Sequence, residues 1–104
     1  MTHNTLALQG LLITRQSAKQ YRNRMVNLLD EHASVTVDLS AVELLTPSFA
    51  DECFGVLGQM YGPKIFRTRL KLTGITDDVK HLISVVLANR LKNRAKPQDD
   101  RSVS

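Results

Sequence analysis

Few residues in this chain of 104 could do chemistry: one thiol, three imidazoles and a hydroxyl placed where a helix is expected to begin. Cys53 falls on an apolar helical repeat with Phe49, Ala50, Phe54 and Leu57, which predicts a buried thiol. No His stands near it at a nucleophile–base spacing, so a catalytic thiol is not expected. A single cysteine also excludes an internal disulfide framework and any multi-cysteine zinc or iron–sulfur site. His3, His32 and His81 lie far apart and match no ligand spacing such as His-Glu-x-x-His, so no metal is expected. Ser48 could act as a hydrolytic nucleophile only with a base in hydrogen-bond reach. His81 is the one candidate, and its spacing does not pair the two. Gly-x-x-x-x-Gly-Lys-Ser/Thr, Gly-x-Gly-x-x-Gly and Gly-x-Ser-x-Gly are all missing from the sequence. The residues therefore point to a chain without a cofactor of its own and without enzymatic chemistry.

The other chemistry open to these residues is electrostatic. Arg67, Arg69 and Lys71 alternate along one segment, and Arg90, Lys92, Arg94 and Lys96 cluster near the C-terminal end. Residues 90–104 hold five Lys/Arg against two Asp, so most of the formal charge of +4 sits there. Nucleic-acid binding through Arg67, Arg69, Lys71, Arg90, Lys92 and Arg94 is the alternative reading. It would show as salt-sensitive affinity. The plainer reading is a strand kept soluble and a helix end matched to its dipole.

The elements that would position these residues follow from periodicity. Residues 1–10 show no clear period and read as poorly ordered or as a ragged first strand, while Leu11–Thr14 is a short apolar strand candidate. Ser17 with Gln20 fits a capping box for a helix over Ala18–His32. Val35–Leu39 alternates as a strand, and Ser40–Thr46 reads as a connector. Pro47 suits the first turn of a helix reaching Tyr61, with Ser48 as its cap and Gly62-Pro63 as its stop. Gly55 and Gly58 inside that helix predict close approach to a neighbouring backbone. Arg67–Thr73 alternates as a third strand with Leu70 and Leu72 on one face and the cations on the other. Thr76 caps a last helix, whose first turn carries Asp77 and Asp78. Alternating strands and helices imply crossovers and a mostly parallel sheet, with helices grouped on one face and the other face wet.

The segment Val35–Gln59, VTVDLSAVELLTPSFADECFGVLGQ, resembles the STAS family, the domain of sulfate transporters and anti-sigma-factor antagonists. Asp38-Leu39-Ser40-Ala41-Val42 matches the family's strand-end turn, and Leu45–Phe49 falls on its Ile-Asp-Ser-Ser-Gly helix start. The Ser48–Glu52 run is closer still to a divergent bacterial STAS-like family of unknown function. Thr46, Pro47 and Phe49 stand where the better-known antagonists have Asp, Ser and Gly. The resemblance implies a STAS-like α/β fold and a regulatory protein-interaction role. Its partner would be a GHKL-type ATPase or an anti-sigma factor, with Ser48 at the phosphoacceptor position. It implies docking around Thr46, Ser48, Asp51 and Glu52, with any ATP held by the partner.

Length and composition agree with one domain. At 42% hydrophobic and 23% charged residues, the chain can bury a single core. A STAS-like domain over 1–96 and a flexible tail over 97–104 are expected. No apolar run approaches the roughly 20 residues of a membrane span, and no secretory signal is visible, so the cytoplasm is the expected compartment. Self-association is left open.

Overall fold

Leu6, Leu8 and Leu12 turn inward from strand β1 (Thr5–Leu12), while Thr5, Ala7 and Gln9 face water. The same alternation buries Val35, Val37 and Leu39 of strand β2 (Val35–Leu45) and Leu70 of strand β3 (Leu70–Thr73). The computed structural model describes residues 4–95, with side chains described up to Lys92. The three strands lie in the order β1-β2-β3, and both pairings are parallel. Helix α1 (Arg15–Glu31) crosses from β1 to β2. From β2 the chain passes through α2 (Pro47–Ala50), a π-helical turn (Asp51–Gly55), α3 (Val56–Tyr61) and α4 (Ile65–Thr68) to β3. Helix α5 (Asp77–Ala95) closes the described chain. The inward leucines and valines meet Met25 and Leu29 of α1, Phe49, Phe54 and Leu57 of the segment 47–61, and Ile83 and Val86 of α5. This is the small α/β architecture expected, with the helices on one face of a parallel sheet.

Four boundaries differ from the sequence reading, each for a physical reason. β1 is one strand over Thr5–Leu12, joining the ragged first strand offered within residues 1–10 to the start of the Leu11–Thr14 candidate, because its inward leucines gain a partner strand that local pattern does not show. β2 continues through Leu45, so Ser40–Leu45 is strand and not connector. Its register against β1 slips between Ala7 and Gln9 and again between Gly10 and Leu11. Each slip sets an extra residue in β2, which destroys the period of 2 that would have marked it. α1 begins at Arg15, since Thr14 and not Ser17 is the cap: the Thr14 hydroxyl accepts the Ser17 N–H at 3.1 Å.

The fourth difference is the largest. The stretch read as the start of a third strand is partly helical, because Ile65 and Phe66 pack toward the core in α4. Only Lys71 of the three alternating cations stands on β3. Arg69 turns its guanidinium back onto the end of α1, donating to the carbonyls of Leu29 (2.5 Å), His32 (3.1 Å) and Ala33 (3.0 Å). Leu29 carries one of the orphan carbonyls of a helix end that has no glycine cap, and His32 and Ala33 follow directly after it. A cation among them contributes up to ~2 kcal/mol when partly buried. Gly58 also serves another purpose than expected: a Cβ there would run into the side chain of Leu87, so the close neighbour is a leucine of α5 rather than a backbone. Thr76 caps α5 as read, its hydroxyl accepting the Val79 N–H at 3.2 Å. Residues 97–104 and Lys96 lie outside the described residues, as does His3.

Candidate functional site

Pro47 occupies the first turn of α2, so the capping side chain must precede it. Thr46 fills that role. Its hydroxyl accepts the Phe49 N–H at 3.2 Å and donates to the Ile13 carbonyl at 2.8 Å. The hydroxyl of Thr46 is thus spent on holding the helix start against the end of β1. Ser48 is therefore not the cap, contrary to the sequence reading. It lies on the first turn, exposed, and its hydroxyl has no hydrogen-bond partner among the described residues. Phe49, Ala50 and Cys53 point into the core, which leaves Ser48, Asp51 and Glu52 to share the outer side.

Asp51 and Glu52 do not stand free on that side. The Arg90 guanidinium grips Asp51 with two parallel bonds, Nε to Oδ1 at 2.8 Å and Nη2 to Oδ2 at 2.9 Å. Arg15 bridges both acids, reaching Asp51 Oδ2 at 3.0 Å and Glu52 Oε1 at 3.3 Å. Arg22 donates to Glu52 Oε2 at 2.8 Å and to the Glu52 carbonyl at 2.6 Å. The network ties α1, the π-helical turn and α5 together. Gly55 gives it room, since a Cβ there would lie 3.1 Å from Asp51 Oδ1 and 3.2 Å from Arg90 Cγ. Asp51 and Glu52 are the inner members of these ion pairs, with side chains 24% and 14% exposed.

The pairing sets a pH dependence. The hydrogen bonds from Arg90 hold the Asp51 carboxyl below its ordinary 3.8, and those from Arg22 hold Glu52 below its ordinary 4.5. Burial opposes both shifts without reversing them. A carboxylate lowered by folding stabilises the fold above its unfolded value and loses that contribution as the pH falls through its folded value. Wild-type stability should therefore drop as the pH falls below about 4.5. Asp51→Asn should be less stable than wild type at neutral pH and flatter across that acid limb. Denaturation melts at a series of pH values would show it. Identical acid limbs in the two proteins would contradict the assignment.

The cations singled out for nucleic acid are spread over α4, β3, the residue between them and α5. Arg67 is exposed on α4, Arg69 is bound to the end of α1, and Lys71 lies on β3. Arg90 is held by Asp51, Lys92 is exposed, and the side chain of Arg94 is outside those described. The alternating row is broken because helix α4 takes Arg67 and Thr68 out of the strand that would have aligned it. Cys53 is fully buried beside Met25, its Sγ 4.0 Å from the Met25 Sδ, and burial pushes its thiol up to about 12. At that value it holds its proton at physiological pH and is a poor nucleophile. His81 is exposed on α5, and His32 is half-buried at the end of α1. Among the described residues no group of His, Cys, Asp and Glu is placed to hold a metal ion.

Arg15 and Arg22 were not among the residues the sequence suggested. Their only signal is opposite charge to Asp51 and Glu52, and the partners are at least 30 positions apart. No helix among the described residues is long and apolar enough to cross a membrane. Residues 17–80 match the family described as STAS-like domain of unknown function (DUF4325). The match runs from α1 through β2, the segment 47–61 and β3 into the first turn of α5. No curated protein matches the chain.

Proposed function

The chain belongs to this family of STAS-like domains of unknown function, and from that membership we propose that it is a non-enzymatic, regulatory protein-interaction module. It docks on its partner through the start of α2, around Thr46, Ser48, Asp51 and Glu52. The partner is a GHKL-type ATPase or an anti-sigma factor, and Ser48 is the phosphoacceptor. The observation that carries this reading is the exposed Ser48 hydroxyl with no intramolecular partner among the described residues. On the same outer side, the half-exposed guanidinium of Arg15 lies across Asp51 and Glu52. The neighbouring side chains have structural work. Thr46 caps the helix, and the two carboxylates keep Arg15 in place.

A kinase partner would transfer the terminal phosphoryl group of its ATP to the Ser48 oxygen. The O–P bond forms as the bond to ADP breaks, and the hydroxyl proton leaves to a base of the kinase. The product adds roughly two negative charges at neutral pH, one turn before Asp51 and Glu52. It competes with them for Arg15 and reverses the local charge balance. A partner fitted to the neutral surface is then released.

The test is capture from the native host followed by mass spectrometry. The unmodified chain and Ser48→Ala should retain the same ATPase or anti-sigma partner. Ser48→Asp should lose at least about tenfold in affinity, which corresponds to ~1.4 kcal/mol. Equal retention of the partner by Ser48→Asp would refute the proposed docking surface.

A further inference from the structure

The geometry points to a second docking surface: the groove between β3 and α5 accepts an extended, acidic-and-apolar segment of a partner protein as a fourth strand. This surface is separate from the start of α2 and does not depend on the role of Ser48. Among the described residues β3 pairs only with β2 and forms one edge of the sheet. Val35 donates its N–H to the Arg69 carbonyl, and Val35 is in register with Leu70. In a parallel ladder this directs the backbone groups of Arg69, Lys71 and Thr73 toward β2, and those of Leu70 and Leu72 toward the open edge. An added strand would find hydrogen-bonding groups there.

The side chains beneath that edge are incompletely covered. Leu70 is buried, but Leu72, on the same side and two residues on, is only half-buried. Leu72, Phe66, Ile75, Ile83 and Leu87 line an open groove of about 460 Å³. A strand laid beside β3 would set every second side chain into this groove and cover Leu72.

Charge selects the occupant. Residues 63–73 contain four cations and no acid. Lys64, Arg67, Lys71 and Lys80 are all exposed and join no ion pair among the described residues. Lys80 itself lines the groove, as does one acid, Asp77, three residues before it on α5. Pairing of β3 with a second copy of this chain would put Lys71 of both copies on one short ladder, and like charges across a ladder are unfavourable. An acidic strand is favoured by the same charges. Cations on an edge commonly serve to prevent pairing. Here they disfavour basic strands and favour acidic ones.

The probe is a blocked octapeptide alternating glutamate and valine, added to the full chain and followed by amide NMR. Shifts should concentrate on residues 70–73 and on the groove side of α5, with slowed hydrogen exchange at the Leu72 amide. The same peptide with lysine for glutamate should bind several-fold more weakly. Lys71→Glu, an exposed change on the face of β3 that the glutamates would share, should weaken the glutamate peptide by about three- to tenfold. Ser48→Asp should leave it unchanged. The proposal is overturned if the β3 amides do not respond, or if the lysine peptide binds equally well. It is also overturned if a single-stranded oligonucleotide gives the same shifts more tightly than the glutamate peptide, which would make the surface one for nucleic acid.

Discussion

Phe54→Ala should remove about 3–5 kcal/mol of stability, the usual cost of emptying a fully buried aromatic site. Phe54 is 0% exposed and meets Phe66 edge-to-face, with ring centroids 6.4 Å apart. It sits in the π-helical turn between the sheet and α5, where several elements would have to move to refill its volume. Most domains have only about 5–15 kcal/mol in total. For a chain of this size the loss should lower the melting temperature by roughly 15 °C or more. Calorimetry or thermal circular dichroism measures it. A fall of only a few degrees would mean that the site collapses easily and that the core is not assembled around this ring. The consequence reaches the candidate site, because the same turn carries Asp51 and Glu52 and so holds Arg15.

Gly74→Ala should cost about 2–4 kcal/mol through two separate effects. The backbone of Gly74 has φ +69°, a left-handed conformation in which any Cβ is strained. A Cβ there would also lie 2.6 Å from the Ser40 nitrogen and 2.8 Å from the Ser40 Cα. Those atoms belong to the irregular stretch of β2, where the Ser40 N–H donates to Asp38 Oδ1 at 2.9 Å. They are backbone atoms and cannot rotate away. Relief requires the turn from β3 to α5 to lift off β2. In urea the midpoint should fall while the slope stays constant, as expected for a change in stability alone. A loss under about 1 kcal/mol would mean that the turn accommodates the methyl group by moving, and that its contact with β2 is loose.

Much of this fold was legible in the residues. The alternation of Val35, Val37 and Leu39, the helical spacing from Phe49 to Tyr61 with Pro47 at its head, and the Thr76 cap each encode their element locally. A period and a cap depend only on neighbours a few positions away. What failed to read was non-local or irregular. The two register slips of β2 erased its period after Leu39. The first two residues of the strand expected from Arg67 belong to helix α4, because Ile65 and Phe66 are drawn into a core that local sequence does not display.

The candidate site divides along the same line. Ser48 was identified from its place behind Pro47 and from the resemblance around it, both short-range signals, and the structure leaves its hydroxyl exposed. Sequence also determined the chain's strand–helix order, its family and its lack of any phosphate-loop motif. Only the tertiary structure decided that Thr46 rather than Ser48 spends its hydroxyl on the cap, and that Asp51 and Glu52 are closed off by Arg90, Arg15 and Arg22. Only it decided that Arg69 ends a helix instead of lining a basic row. The physical reason is common to all three. Charge and hydroxyl groups carry no period and act over a few ångströms. Their partners are therefore chosen by which elements the packed core brings side by side, and not by how far apart they stand along the chain.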